Sequence, residues 1–481
     1  MNLKVISRNV GVALLVSALF MLLSVFVSLF DGGDTALAPL LISFTITFIF
    51  GIFPFFFVRK TTQISLKDGY MIIFLSWLLS FIFGMLPYAL WGGPFTVVNA
   101  WFESVSGFTT TGASILTDVE KMSRSMLFWR SFTHWIGGMG MLVLMVAVMP
   151  NLPGRTIHIL RAEMPGPTMG KLSPKLSDTA RILYLLYIAL TVVELLLLLA
   201  GGMPLFDSAV HTFGTAGTGG FGIRADSVAG YSPYLQWVIA VFMMLFGLNF
   251  NLFFLLTMRR FKSVLRSEEL WTYVAIVLAS TALICWNIRP LFDCFSDALR
   301  HAFFQVTTIS STTGFSTVNF DSWPSLSRMV LVLLMFIGAC AGSTAGGLKV
   351  SRVVLLFKTF RREIRHLLHP HSVTTIRFEG RTVENTTLSS VATYFALYMG
   401  LFVLFWFIVS FQPGYDGVSN FTAVAACYNN IGPGLNLVGP AGSYAGYSPF
   451  VKLVLSLAML FGRLEIYPML ISLMPGVWLK K

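Results

Sequence analysis

The residues best placed to do chemistry lie in four short glycine segments: TTTGAS (Thr109–Ser114), GTGGFG (Gly217–Gly222), STTGFS (Ser311–Ser316) and NNIGPG (Asn429–Gly434). Their glycines Gly112, Gly219, Gly314 and Gly432 align at intervals of roughly 100 residues, a period suited to one repeated membrane unit. Glycine admits backbone angles closed to other residues. Loops that use those angles can turn their carbonyls to one side, and four around one axis replace the water shell of a dehydrated cation. The carbonyls expected to face that axis belong to Thr110, Thr111 and Gly112; Gly217, Thr218 and Gly219; Thr312, Thr313 and Gly314; and Asn430, Ile431 and Gly432. None of these loops carries a carboxylate. Calcium and sodium pores often use rings of Asp or Glu, whereas a carbonyl ring suits a large, weakly hydrated ion such as potassium. One glycine corner alone would read as a helix-packing device; four in equivalent places do not. Only Gly219 is followed by Gly-Phe-Gly and only the fourth loop carries Pro433, so an asymmetric ring is expected.

Such loops need a frame. Of 481 residues, 56% are hydrophobic and 11% charged, against about 25% charged in soluble domains, which makes this an integral membrane protein. Ten spanning helices are expected, near 8–30, 36–58, 69–91, 126–149, 180–202, 233–257, 269–289, 328–357, 389–411 and 450–476. Four apolar stretches too short to span, Val97–Phe108, Phe206–Ala216, Phe295–Ser310 and Val418–Tyr428, each end in a glycine segment. A helix that stops at mid-membrane points the negative end of its dipole at the pore centre, which favours a cation. The fold class is therefore all-α and polytopic, with two N-terminal helices (1–66) and four helix–re-entrant loop–helix repeats. The repeats run 67–155, 156–266, 267–370 (with a broken inner helix) and 371–481.

Most of the 33 Lys and Arg residues fall on one side, which sets both termini in the cytoplasm by the positive-inside rule. The net charge of +12 thus reports orientation rather than nucleic-acid binding. Two basic cytoplasmic loops, Asn151–Asp178 and Phe357–Asn385, read either as solvated orienting loops or as a docking surface for an acidic partner. Cys285, Cys294, Cys340 and Cys427 show no metal spacing and are read as free thiols. No catalytic or metal motif is present that would support a membrane enzyme, and an inverted-repeat carrier is disfavoured because the four units share one orientation.

The eighth helix contains MFIGACAGSTAGGLKV (Met335–Val350), with Gly338, Gly342, Gly346 and Gly347 beside Ser343, Thr344 and Lys349. This is either a small-residue packing helix or a segment unwound where backbone lines a cavity, and an unwound loop below the ring would obstruct ions. Arg463 in the last helix is expensive at membrane depth and thus a functional candidate; it would otherwise pair with Glu465, Glu103 or Glu194. Glu103 either stabilises cations or pairs with Arg130 or His134. His211 and His301 read as hydrogen-bonded structural residues.

These features resemble the superfamily of potassium transporters that includes the Trk, Ktr and plant HKT proteins, most closely its Trk branch, over the whole chain. The resemblance implies a pseudo-fourfold pore with one filter glycine per loop, bound potassium rather than an organic cofactor, and a homodimer in the bacterial cytoplasmic membrane. It also implies a TrkA-like cytoplasmic ring that binds NAD or ATP/ADP and controls gating. Carried over, the blocking loop is Gly338–Lys349 and the pore arginine is Arg463. Some HKT proteins that pass sodium have serine at the first filter glycine, so Gly112 favours potassium. A sodium- or proton-coupled, less selective transporter of the same fold is the alternative.

Overall fold

A computed structural model describes residues 2–58, 66–140, 176–372, 374–464 and 466–474. Helices α1 (Leu3–Phe30) and α2 (Leu37–Phe57) pair as an N-terminal hairpin. Close contact is possible because Gly11 and Gly51 lie at the crossing: a Cβ at Gly11 would sit 2.7 Å from the Gly51 carbonyl oxygen. The outward side of α2 is apolar, with Phe48, Phe50, Phe53, Phe56 and Phe57 exposed. A membrane protein presents such a surface to lipid, whereas a soluble one of this extent would aggregate.

Four units follow. Their outer helices are α3 with α4 (Leu66–Gly84 and Leu86–Trp91), α7 (Leu176–Ala200), α12 (Glu268–Ile288) and α16 (Asn385–Val409). The short re-entrant helices are α5 (Val97–Phe108), α8 (Leu205–Ala216), α13 (Phe295–Ser310) and α17 (Gly417–Tyr428), within one residue of the stretches expected from sequence. Two of them have side-chain N-caps that set where they begin: Thr96 accepts from the Asn99 amide and Asp416 from the Val418 amide.

Two of the inner helices depart from expectation. Of the first, expected over 126–149, the described part is α6 (Arg124–Gly138), and 141–149 lie outside the described residues. The second, expected unbroken over 233–257, is two helices, α9 (Pro233–Phe246) and α10 (Phe250–Thr257), bent by 93°. The break follows from local chemistry. Gly247 ends α9, and the Asn249 side chain starts α10 by accepting from the Asn251 amide. A short helix α11 (Phe261–Leu265) links α10 to α12. The third inner helix splits into α14 (Ser325–Ile337) and α15 (Val350–Leu368), with 338–349 unwound. The fourth is α18 (Pro449–Leu464) followed by α19 (Ile466–Leu473).

Among the described residues, six helices are long and apolar enough to cross a membrane, and the bent pair makes a seventh. Of the other three expected spans, the third inner helix is unwound over 338–349, and the first and fourth include residues outside the described ones. Of the two basic loops, 151–175 lies outside the described residues, as do Arg59, Lys60, Glu465, Lys480 and Lys481. The other contains a feature not expected from sequence, a hairpin of β1 (Arg377–Phe378) and β2 (Arg381–Thr382). Its Ile376 and Phe378 are buried in the main hydrophobic core. All four cysteines are free; only Cys294 is exposed.

Candidate functional site

Each re-entrant helix ends in the same way. The residue after its cap has left-handed backbone: Thr110 (φ 55°), Thr218 (φ 53°), Thr312 (φ 57°) and Asn430 (φ 56°). The next amide then donates back across the last turn: Thr111 to Ser106, Gly219 to Gly214, Thr313 to Thr308 and Ile431 to Ala426, at 2.8–2.9 Å. This bond satisfies carbonyls that a helix C-terminus leaves orphaned. One position further, Gly112 (φ 79°), Gly220 (φ 75°), Gly314 (φ 92°) and Gly432 (φ 98°) are again left-handed. Four non-glycine residues in one rare conformation, at equivalent places, mark a conformation imposed by function or packing.

The second loop therefore has a register one residue later than the sequence alignment. Its equivalents of Thr110, Thr111 and Gly112 are Thr218, Gly219 and Gly220, and Gly217 is the helix cap. Three glycines in GTGG made the alignment ambiguous; the αL position and the back-bond resolve it.

The glycines also show that the loops form a ring. A Cβ at Gly112 would lie 2.0 Å from the Gly219 carbonyl oxygen. One at Gly220 would lie 2.1 Å from that of Thr313, one at Gly314 2.1 Å from that of Ile431, and one at Gly432 2.8 Å from that of Thr111. Each glycine faces the carbonyl of the next unit, and the sequence 1→2→3→4→1 closes. No other residue fits at the first three without displacing backbone.

Side chains brace the ring from behind. The Asn430 amide donates to Thr111 Oγ1 (2.9 Å) and to the Met459 carbonyl (3.0 Å). Thr109 and Thr111 share a hydrogen bond of 2.8 Å, as Ser311 and Thr313 do at 2.7 Å. Glu103 is fully buried and pairs with Arg130 at 2.6 Å. It also accepts from Ser114 Oγ (2.9 Å) and the Ile115 amide (3.1 Å), on the outward limb of the first loop. Arg130 in turn donates to the Gly222 carbonyl (3.2 Å) and stacks 3.4 Å from the Phe221 ring. The pair thus staples loop one to loop two, the structural alternative for Glu103. His134 Nδ1 meets the Gly107 carbonyl (2.7 Å) instead. His211 and His301 are hydrogen-bonded to the Asp207 carbonyl and to Thr317 Oγ1.

Directly against the ring lies the unwound segment 338–349. The Gly346 amide donates to Thr312 Oγ1 (2.7 Å), and a Cβ there would meet the Asn429 carbonyl at 2.3 Å. Its two ends are tied together: the Leu348, Lys349 and Val350 amides donate to Phe336, Ile337 and Ala339. Gly338 (φ 69°), Gly342 (φ 71°) and Gly347 (φ 77°) make the turns, and Lys349, buried, is held at φ 80°. The segment plugs into the break of the second inner helix: the Cys340 amide bonds the Gly247 carbonyl (3.0 Å), and the Phe250 amide bonds that of Gly342 (3.1 Å). Ser343 closes onto the Cys340 carbonyl and Thr344 onto that of Phe246.

Arg463 joins this segment to the first unit. It donates to the Thr344 carbonyl and the Gly138 carbonyl, both at 2.6 Å, and to that of Gly137. The Gly137 and Gly138 carbonyls end α6, where the helix dipole welcomes a cation. Of the acids considered for it, Glu103 is held by Arg130, and Glu465 lies outside the described residues. No cluster of metal-ligating side chains exists among the described residues. Sequence reasoning passed over Thr312 Oγ1, Asn430 and Asn249 as hydrogen-bonding groups. Asn249, just after a glycine in an apolar helix, was the one readable signal.

The family model TrkH, cation transport protein, matches residues 38–284 and 293–476. The Trk system potassium uptake protein TrkH of Salmonella typhimurium is 36% identical, covering 99% of this chain and 100% of the relative. TrkG of Escherichia coli K12 is 34% identical, covering 99% of each. The crystal structure of the potassium transporter TrkH from Vibrio parahaemolyticus matches with a TM-score of 0.89 and 31% identity over 100% of both chains. The chain belongs to the TrkH family of cation transport proteins and is a multi-pass membrane protein; its relatives are named as transporters, not enzymes.

Proposed function

We propose that this chain takes up potassium across the bacterial cytoplasmic membrane through a gated pore. The closed ring of four carbonyl-bearing loops supports this reading most directly, since it offers oxygen ligands without carboxylates. Potassium is the cargo, held by the carbonyls of Thr110, Thr111 and Gly112 and their counterparts, including Gly220. The inside-negative potential supplies about 2.3 kcal/mol per charge per 100 mV. The segment 338–349, pressed against Thr312 and Asn429, is the gate, and Arg463 holds it with a positive charge that repels cations. Both termini lie in the cytoplasm. The relatives' names place them in a multi-component system, and a cytoplasmic nucleotide-binding ring acting on a homodimer of this chain fits the basic inner surface.

The test is cation flux in liposomes containing only the purified chain. Potassium and rubidium uptake without lithium uptake, needing no second ion, is expected. A strict requirement for a sodium or proton gradient would favour coupled transport by the same fold.

A further inference from the structure

The gate segment is anchored from below by a residue that no part of the ion path explains. Glu269 sits in the first turn of α12 and is 5% exposed. Its Oε1 accepts the Ala341 amide at 2.7 Å and the Ser351 amide at 3.2 Å. One carboxylate oxygen therefore ties the first half of the unwound segment to the start of α15. Bonds to a carboxylate are about twice as strong as neutral ones, so this is a strong point of attachment.

Glu269 is itself held by the cytoplasmic hairpin. Glu379 accepts from Ser267 Oγ (2.9 Å) and from the Glu269 amide (3.0 Å), so it caps the start of α12 from another part of the chain. Glu379 and Gly380 form a two-residue turn with φ 50° and 74°. Both signs are those of a type I′ hairpin, where Asn-Gly is usual and Glu is not. A glutamate kept in that conformation is over-determined by its surroundings. Lys358, on the helix that continues the gate, donates to the Arg377 carbonyl (2.7 Å) and pairs with Glu268. The hairpin thus touches α12, which carries Glu269, and α15, which follows the gate segment. Its core side, Ile376 and Phe378, is buried, and Glu379 is exposed to the cytoplasm.

We propose that Glu269 is the latch of the gate, a positioning residue that holds 338–349 closed, and that the Arg377–Thr382 hairpin is the handle that moves it. Displacing the hairpin removes Glu379 from the start of α12, the first turn loosens, and the Glu269 carboxylate leaves Ala341 and Ser351. The inference rests on the reading of 338–349 as a gate.

The experiment measures potassium flux in liposomes for Glu269→Ala, Glu269→Gln and Glu379→Ala, each alone and combined with deletion of 342–347. Size-exclusion profile and thermal midpoint confirm folding. Loss of both amide bonds should raise flux about tenfold in Glu269→Ala. Gln keeps an acceptor without charge and should fall between Ala and Glu. Glu379→Ala should give a smaller rise. Potassium-to-sodium preference should stay unchanged, and none of the substitutions should add flux once 342–347 is deleted. Unchanged flux in a folded Glu269 variant, with the deletion alone still raising flux, overturns the latch and leaves the gate standing. Added flux in the deletion background, or altered selectivity, also overturns it as general loosening. If the deletion itself does not raise flux, the gate reading fails and takes the latch with it. If Glu269→Ala does not fold, Glu269→Gln decides.

Discussion

The ring and the layer against it are built from the same four units by opposite rules. In the ring, four loops share one pattern despite unlike sequences: Thr218-Gly219-Gly220 and Asn430-Ile431-Gly432 repeat the positive φ of Thr110 and Gly112 and the back-bond of Thr111. In the layer against it, the inner helices differ from one another: one broken by a 93° bend, one unwound over 338–349, one carrying Arg463. On the proposed function, ion coordination demands equal ligands from every side, so the backbone converges, and a gate needs one element with a second place to go, so the units diverge there. The glycines serve both regions, fixing close approach in the ring and permitting turns in 338–349.

The strongest way to break this comparison is to fill a ring glycine. Gly220→Ala and Gly314→Ala each add a Cβ about 2 Å from a neighbouring carbonyl at positive φ. Strain and overpacking together cost about 3 kcal/mol, so potassium flux should fall about a hundredfold. Retained flux in Gly220→Ala would restore the earlier register of the second loop. Gly112→Ser should also erode potassium preference over sodium, read from competitive flux; an unaltered preference removes the ring from the selectivity mechanism.

Next come the gate variants, with effects of opposite sign. Deleting 342–347, or Arg463→Ala, should raise flux about tenfold, the loss of charge-assisted hydrogen bonds, without changing selectivity. If flux falls while the protein stays folded, Arg463 serves the structure rather than the barrier.

Glu103→Gln sharpens the comparison from the ring side. It weakens the staple between loops one and two, and a several-fold loss of potassium preference is expected, with flux less affected. An unchanged preference would make the pair a packing feature only.

The smallest effect is expected away from both regions. Asp34, between α1 and α2, accepts from Ser28, Ala36 and Ser125. Burial alone would raise its pKa, but these bonds outweigh it and hold the carboxyl below its ordinary value. Its folded pKa being depressed, its stabilisation is present above the ordinary Asp range and lost as pH falls through the lowered value. Asp34→Asn should lower the thermal midpoint slightly at neutral pH, remove that acid-side dependence, and leave flux and selectivity alone.

Much was legible in the sequence. Apolar length and charge placement indicated the membrane helices, because bilayer thickness and the cost of burying charge act on each segment separately. The re-entrant helices were readable to within a residue, since their apolar runs are too short to span and end at glycine. The unwinding of 338–349 and the oddness of Arg463 were local signals too. What the tertiary structure decided depends on partners distant in the chain. Gly220, rather than Gly219, faces the Thr313 carbonyl only when the second and third loops share an axis. Arg463 reaches the Gly137, Gly138 and Thr344 carbonyls because three inner helices meet there. In sequence Glu269 is an acid at a helix start; only the fold brings Ala341, Ser351 and Glu379 to it. Composition and periodicity act within a segment; hydrogen bonds between segments exist only after the chain has closed around its axis.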